Sequence, residues 1–132
     1  MLEEEFSNNL QGVKVAVFGL AFKPGSDDVR ESPAISVIKN LLAKGTHIKT
    51  FDPIVRDIES LPFGSAQLQS VDSVQKAIEG VQAALIMTGW EDFKQLPELM
   101  RETNPSILLV DGRRMIDKNG VKNYRGIGLG AG

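Results

Sequence analysis

Four short apolar runs punctuate the chain, and each one stops at a glycine or an aspartate-containing pair. Val13-Lys14-Val15-Ala16-Val17-Phe18 is rich in β-branched residues and ends at Gly19. His47-Ile48-Lys49-Thr50-Phe51 closes at Asp52-Pro53, Ala83-Ala84-Leu85-Ile86-Met87 at Thr88-Gly89, and Ile107-Leu108-Leu109-Val110 at Asp111-Gly112. Largely apolar runs of this length, without strict alternation, predict strands buried on both faces. A weaker fifth strand is predicted over 123–127.

The segments between them follow a helical period. Ile35, Ile38, Leu41 and Leu42 form one apolar stripe over 33–44. Ser32 is suited to cap that helix, Pro33 to its first position and Gly45 to the residue just past its end. A short helix is predicted over 71–79, ending at Gly80. Another spans 91–103, interrupted or restarted at Pro97. Residues 54–70, broken by Pro62 and Gly64, carry no readable period.

Alternation of buried strands with helices predicts an α/β fold. The expected form is a Rossmann-like three-layer α/β/α domain with a mostly parallel, doubly wound sheet of about five strands. Residues 1–11, with an acidic run at Glu3, Glu4 and Glu5 and a break at Ser7-Asn8-Asn9, read as a lead-in or linker. Residues 12–132 read as a single domain. In such sheets ligands sit beyond the carboxyl ends of the strands, near the point where strand order reverses. The segments to search for chemistry are therefore 19–32, 52–53, 88–92 and 111–114.

Composition narrows the chemistry. The chain has 132 residues, 42% hydrophobic and 24% charged, ordinary for one globular domain. It contains no cysteine and a single histidine, His47, so a thiol nucleophile, a cysteine-bound metal and most histidine-based catalytic sets are excluded within it. A formal charge of -2 argues against nucleic acid as a partner. No apolar run approaches the about 20 residues that cross a bilayer, and the acidic, polar start is unlike a secretory signal. A soluble, cytoplasmic domain without a membrane partner or a metal is expected, with no catalytic residue of its own.

The segment after the first strand reads GLAFKPGSDDVRESP over 19–33. It fails the dinucleotide fingerprint, because Ala21 and Pro24 stand where the second and third glycines belong. It also fails the Walker pattern: five residues separate Gly19 from Gly25, and no lysine follows. Its composition still suits an anion, with Lys23 as a mobile positive charge and Arg30 as a planar fork before a helix start. The competing reading is that Asp27, Asp28, Arg30 and Glu31 pair with one another on the surface. Asp52 stands where a dinucleotide-binding domain grips a ribose hydroxyl, or else it forms a turn with Pro53. His47, at a strand start, belongs to the edge away from the site. Trp90 either walls a pocket or caps the core. Arg113 and Arg114 end the fourth strand, and residues 113–125 hold five basic side chains against one acidic, a rim that attracts anions.

The block over 19–33 closely resembles the signature that opens the C-terminal, UDP-binding domain of the UDP-glucose/GDP-mannose dehydrogenase family. The likeness continues at Phe51-Asp52-Pro53, at Thr88-Gly89-Trp90-Glu91-Asp92-Phe93 and at Asp111-Gly112-Arg113-Arg114, and it covers the chain from about residue 12 onward. The resemblance implies part of an NAD-dependent enzyme that oxidises C6 of a nucleotide sugar from alcohol to carboxylate in two hydride transfers. Its N-terminal NAD-binding domain and central dimerisation region are the implied partners. The isolated chain, lacking the nucleophile and the main NAD site, is expected to be inactive.

Matched positions carry roles over. Phe22 and Lys23 correspond to the pair that contacts the nucleotide sugar, and Arg113 to an arginine on the substrate side. Arg30 corresponds to an arginine reaching across a domain interface toward NAD. Asp27, Asp28 and Glu31 are expected to orient the loop, and Arg114 is assigned no contact. Ser26 stands where threonine is common and keeps the hydroxyl. UDP-glucose, UDP-N-acetylhexosamines and GDP-mannose are all used by relatives, so base and sugar stay open. A free-standing nucleotide-sensing or interaction module without catalysis is the alternative.

Overall fold

In a computed structural model the strand-helix alternation closes into one all-parallel sheet. The structure describes residues 11–20, 33–53, 68–88, 90–112, 116, 121 and 123–126. The strands are β1 (Lys14–Phe18), β2 (His47–Phe51), β3 (Leu68–Ser70), β4 (Ala83–Ile86), β5 (Leu108–Asp111) and β6 (Asn123–Gly126). The helices are α1 (Pro33–Ala43), α2 (Val74–Ile78) and α3 (Leu96–Thr103), the last preceded by a 3-10 turn over Glu91–Gln95. Among the described residues the sheet has six strands in the order β3-β2-β1-β4-β5-β6. All five pairings are parallel, with Val15 opposite both Ile48 and Ala83.

The expected Rossmann-like α/β sheet is present; among the described residues it has six strands, where about five were expected, and every pairing is parallel. The additional strand, β3, comes from the end of the stretch that showed no period, and three residues are too few to display one. The weak strand at 123–127 is present as β6 and forms an outer edge.

Each face of the sheet buries its own apolar cluster. On one face Val13, Val15 and Val17 join Ile48, Leu85 and Val110 beneath Ala34, Ile38 and Leu41 of α1. On the other, Ala16, Phe18, Ile86 and Leu109 lie against Val74, Ala77 and Ile78 of α2 and Leu96 and Met100 of α3. Alternate residues of β1 therefore point to opposite cores, which is why that run carries no polar face.

Helix boundaries follow local chemistry. After α1 the amide of Gly45 donates to Leu42 O at 3.0 Å and that of Thr46 to Leu41 O at 3.3 Å. This paired closure needs a left-handed residue at Gly45, whose φ is +87°. Ser73 caps α2 by accepting the amide of Lys76 at 3.1 Å. The break anticipated at Pro97 falls one residue earlier. Helix α3 restarts at Leu96 and places Pro97 in its first turn, where a missing N–H costs nothing.

The one-sided burial of α1 makes a direct stability prediction. Ile38 is fully buried, so Ile38→Ala is expected to cost about 2–5 kcal/mol in chemical denaturation. Ser36 is exposed on the same helix, and Ser36→Ala should stay within about 0.5 kcal/mol of the parent.

Candidate functional site at the strand exits

The helix after β1 covers one face of the sheet and the helix after β4 covers the other, while β1 and β4 are neighbours. Strand order reverses between these two, so a crevice for ligand is expected above their carboxyl ends. Polar burial concentrates at this edge. Of the five fully buried polar or charged side chains among the described residues, Asp52 directly follows β2, Thr88 lies two residues beyond β4 and Asp111 ends β5. Thr50 lies within β2, and only Thr46 sits at the opposite end.

Backbone pairing runs one residue past each strand and holds the exits together. The amide of Gly19 donates to Phe51 O at 2.9 Å, that of Met87 to Phe18 O at 2.8 Å and that of Gly112 to Ile86 O at 3.0 Å. Gly19 has φ +95°, and a Cβ built on it would lie 2.6 Å from Thr88 Cβ and Oγ1 and 2.8 Å from the Thr88 amide nitrogen. The exits of β1 and β4 are thus packed backbone against side chain, with space for a hydrogen alone.

Asp52 takes a part that neither alternative read from the sequence included. Its carboxylate is fully buried, and Oδ2 accepts the Leu20 amide at 2.8 Å. It ties the end of β2 to the start of the loop that follows β1. Asp111 plays a parallel part after β5, where its Oδ2 accepts the Ile116 amide at 2.8 Å and the Tyr124 hydroxyl at 3.0 Å. Both aspartates therefore secure loop roots at the ligand edge.

Beneath this edge Phe93 packs its ring 5.3 Å from Phe18 and 6.3 Å from Phe51, both tilted toward edge-on contact. Trp90, half-buried, packs against the same cluster, and its Nε1 is buried without a hydrogen-bond partner. Packing on the core is observed, while the segments that would form a pocket beside it lie outside the described residues.

The assigned contacts Phe22, Lys23 and Arg30 lie in 21–32, and Arg113 lies in 113–115, all outside the described residues, as do Ser26, Asp27, Asp28, Glu31 and Arg114. What is described is the ground they stand on, from Leu20 before the first segment to Gly112 and Ile116 around the second. Sequence inspection missed Thr88 as the wall against Gly19, the bracing role of Asp52, and the pairing of Asp111 with Tyr124. The one shared signal was an aspartate at the end of an apolar strand.

His47 is exposed at the amino-terminal edge, as expected. There a cavity of about 200 Å³ is lined by Lys14, His47, Lys49, Gln69 and Glu79 among others. Its Lys49 ammonium donates to Glu79 O at 2.9 Å and Lys76 O at 3.4 Å, capping the carboxyl end of α2. Among the described residues no group of three His, Asp or Glu could hold a metal, and no helix is long and apolar enough to cross a membrane.

The UDP-binding domain of the UDP-glucose/GDP-mannose dehydrogenase family matches residues 16–118. The chain belongs to that family. A UDP-glucose 6-dehydrogenase of Haloferax volcanii is 35% identical over 130 residues, covering 96% of this chain and 28% of the relative. One from Rickettsia bellii is 44% identical over 88 residues, covering 67% of this chain and 20% of the relative. In three dimensions the UDP-glucose dehydrogenase of Pyrobaculum islandicum superposes with a TM-score of 0.78 at 30% identity, covering 98% of this chain and 28% of that one. The chain thus spans under a third of the length of these relatives, and it is homologous to their nucleotide-binding C-terminal part.

The packed exits predict how this edge fails. Gly19→Ala must separate β1 from β4 and adopt an unfavourable φ, so a loss above about 2 kcal/mol is expected in thermal or chemical unfolding. Asp52→Ala strands the Leu20 amide and should cost about 1.5–3 kcal/mol, with amide exchange at Leu20 accelerating in parallel.

Proposed function

We propose that this chain is the substrate-nucleotide-binding C-terminal domain of an NAD-dependent nucleotide-sugar 6-dehydrogenase of the UDP-glucose type. The whole enzyme oxidises the C6 alcohol of the sugar to a carboxylate. The observation that carries this reading is the secured edge between β1 and β4. Gly19 is wedged against Thr88, and the Leu20 amide is held by Asp52, three residues before Lys23. A loop rooted so firmly suits residues that must meet a charged ligand with little reorganisation.

In this assignment Phe22 and Lys23 meet the nucleotide sugar from the first loop. Lys23 brings its charge to the pyrophosphate, and Arg113 approaches the substrate from the loop after β5. Arg30 reaches toward NAD. The chain does not fit NAD as a resident ligand in the dinucleotide manner. The second and third glycines are absent, and the carboxylate that would face a ribose is turned inward onto the Leu20 amide. NAD therefore belongs to the N-terminal domain of the proposed enzyme, and the central dimerisation region is the other partner. The isolated chain binds without catalysing.

Calorimetric titration of the chain with UDP, GDP, UDP-glucose and NAD tests the reading. Preference for uridine ligands over GDP and NAD is expected, with a Kd from high micromolar to millimolar for one side of an interdomain site. Preferential NAD binding overturns it, and binding of nucleotide by a chain encoded without dehydrogenase segments favours the sensing module. In the whole enzyme Lys23→Ala should mainly raise substrate KM, and Arg30→Ala should weaken NAD use. Unchanged constants remove those assignments.

A further inference from the structure

The sheet face that carries α2 changes character at its amino-terminal edge. Further along the strands this face is apolar, with Ala16, Phe18 and Phe51 in the second cluster. At the edge it is polar. Lys14 of β1 is registered opposite His47 of β2, and Lys49, two residues on, is registered opposite Gln69 of β3. Side chains two apart in a strand share a face, as do those directly opposite one another in a parallel pair. All four therefore stand on the side of α2. The Lys49 ammonium shows the same placement, since it donates to Glu79 O at 2.9 Å and Lys76 O at 3.4 Å.

Helix α2 ends at Ile78, and Glu79 and Gly80 lead on to Val81, which is buried in the second cluster. This turn and the four sheet side chains line the cavity of about 200 Å³. Its lining is divided in chemistry. Lys14, His47 and Lys49 gather three basic side chains on one sheet face, where they repel one another when charged unless an anion stands among them. Glu79 is the one carboxylate in the lining among the described residues. Lys49 is committed to the carbonyls that close α2, where it offsets the negative end of the helix. Among the described residues, the side chains of Lys14, His47, Gln69 and Glu79 have no hydrogen-bond or ion-pair partner.

The basic side suits a phosphate group, with Lys14 as a mobile point charge able to close on it. Glu79 disfavours a second phosphate by repulsion. A carboxylate and a carboxamide instead accept hydrogen bonds from hydroxyl groups. The volume sets the size. About 200 Å³ lies below the ~300–1,000 Å³ of sites for drug-sized ligands, so the cavity matches one sugar-sized ring with its phosphate and not a whole nucleotide.

We propose that this cavity binds a monophosphorylated polyol of sugar size, with Lys14 and His47 on the phosphate and Glu79 and Gln69 on the hydroxyls. Lys49 is a positioning residue that holds the end of α2 over β2. The cavity lies at the opposite edge of the sheet from the strand exits, and the proposal does not rest on the function assigned to them.

Amide chemical shifts of the 132-residue chain under titration with glucose 6-phosphate test it, with glucose and inorganic phosphate as controls. Saturable shifts are expected at Lys14, His47, Lys49, Gln69, Glu79 and Gly80, and none at Gly19, Leu20, Asp52, Thr88 or Gly112. Glucose 6-phosphate should bind at least about ten-fold more tightly than either control. Lys14 is exposed, and Lys14→Ala should raise Kd about ten-fold or more, the worth of a charge-assisted hydrogen bond. Glu79→Ala should raise Kd for glucose 6-phosphate about three- to ten-fold. It should leave inorganic phosphate bound as tightly or more tightly, because a hydroxyl acceptor and a repelling charge go together. Should Lys14→Ala fail to fold, His47→Ala, also at an exposed position, takes its place with the same expected direction.

Shifts confined to the strand exits, or no saturation by millimolar glucose 6-phosphate, overturn the proposal. Equal affinity for glucose 6-phosphate and inorganic phosphate overturns it too, because the basic side then attracts any anion. A Glu79→Ala chain that loses both ligands alike does the same, since the carboxylate then supports the fold and not the hydroxyls. Each of these results leaves the proposed function standing, which is read from the uridine ligands.

Discussion

A strand in the middle of a parallel sheet has neighbours on both sides, so the chain leaving it must rise out through a gap between two backbones. Here that gap is bounded by the ends of β2 and β4, and at Gly19 it is one hydrogen atom wide. The 2.6 Å separation between a virtual Cβ and Thr88 makes the exit of β1 a steric checkpoint. Everything presented by the following loop starts from this point, and the next amide, that of Leu20, is already taken by Asp52. Site geometry is thus inherited from the hydrogen-bonded pairing of β1 with β4, which continues past Phe18 opposite Ile86 to the Met87 amide on Phe18 O.

The same sheet order, β3-β2-β1-β4-β5-β6, serves dinucleotide-binding domains, where glycines cradle the pyrophosphate and an acidic residue after the second strand meets the ribose. This chain keeps the topology and the acidic residue but uses that residue differently. A buried carboxylate needs hydrogen bonds, and Asp52 finds one on the backbone within the fold. Shared architecture therefore coexists with a different use of the acidic position, because function resides in the loops and in the direction of a few side chains rather than in the fold.

Much of the framework was legible in the residues themselves. The apolar runs marked β1, β2, β4 and β5, Gly45 marked the end of α1, and Pro97 pointed to the restart of α3. Strand β3 was hidden because Leu68-Gln69-Ser70 is too short for periodicity and is recognised only by pairing with β2. The tie from Asp52 to Leu20 spans 32 positions and that from Tyr124 to Asp111 spans 13, and no local pattern records such partners. Phe22, Lys23, Arg30 and Arg113 came from likeness to a family. Charge and spacing alone gave only an anion-friendly loop.

The inward turn of Asp52 also bears on protein engineering. In dinucleotide-binding domains the acidic residue at the end of the second strand is the customary handle for switching between NAD and NADP, because it faces the ribose hydroxyl. In this chain the corresponding side chain is an internal strut. A library randomised at that position would be sorted by folding yield before any cofactor preference could be selected. A redesign that keeps Asp52 leaves the strut intact.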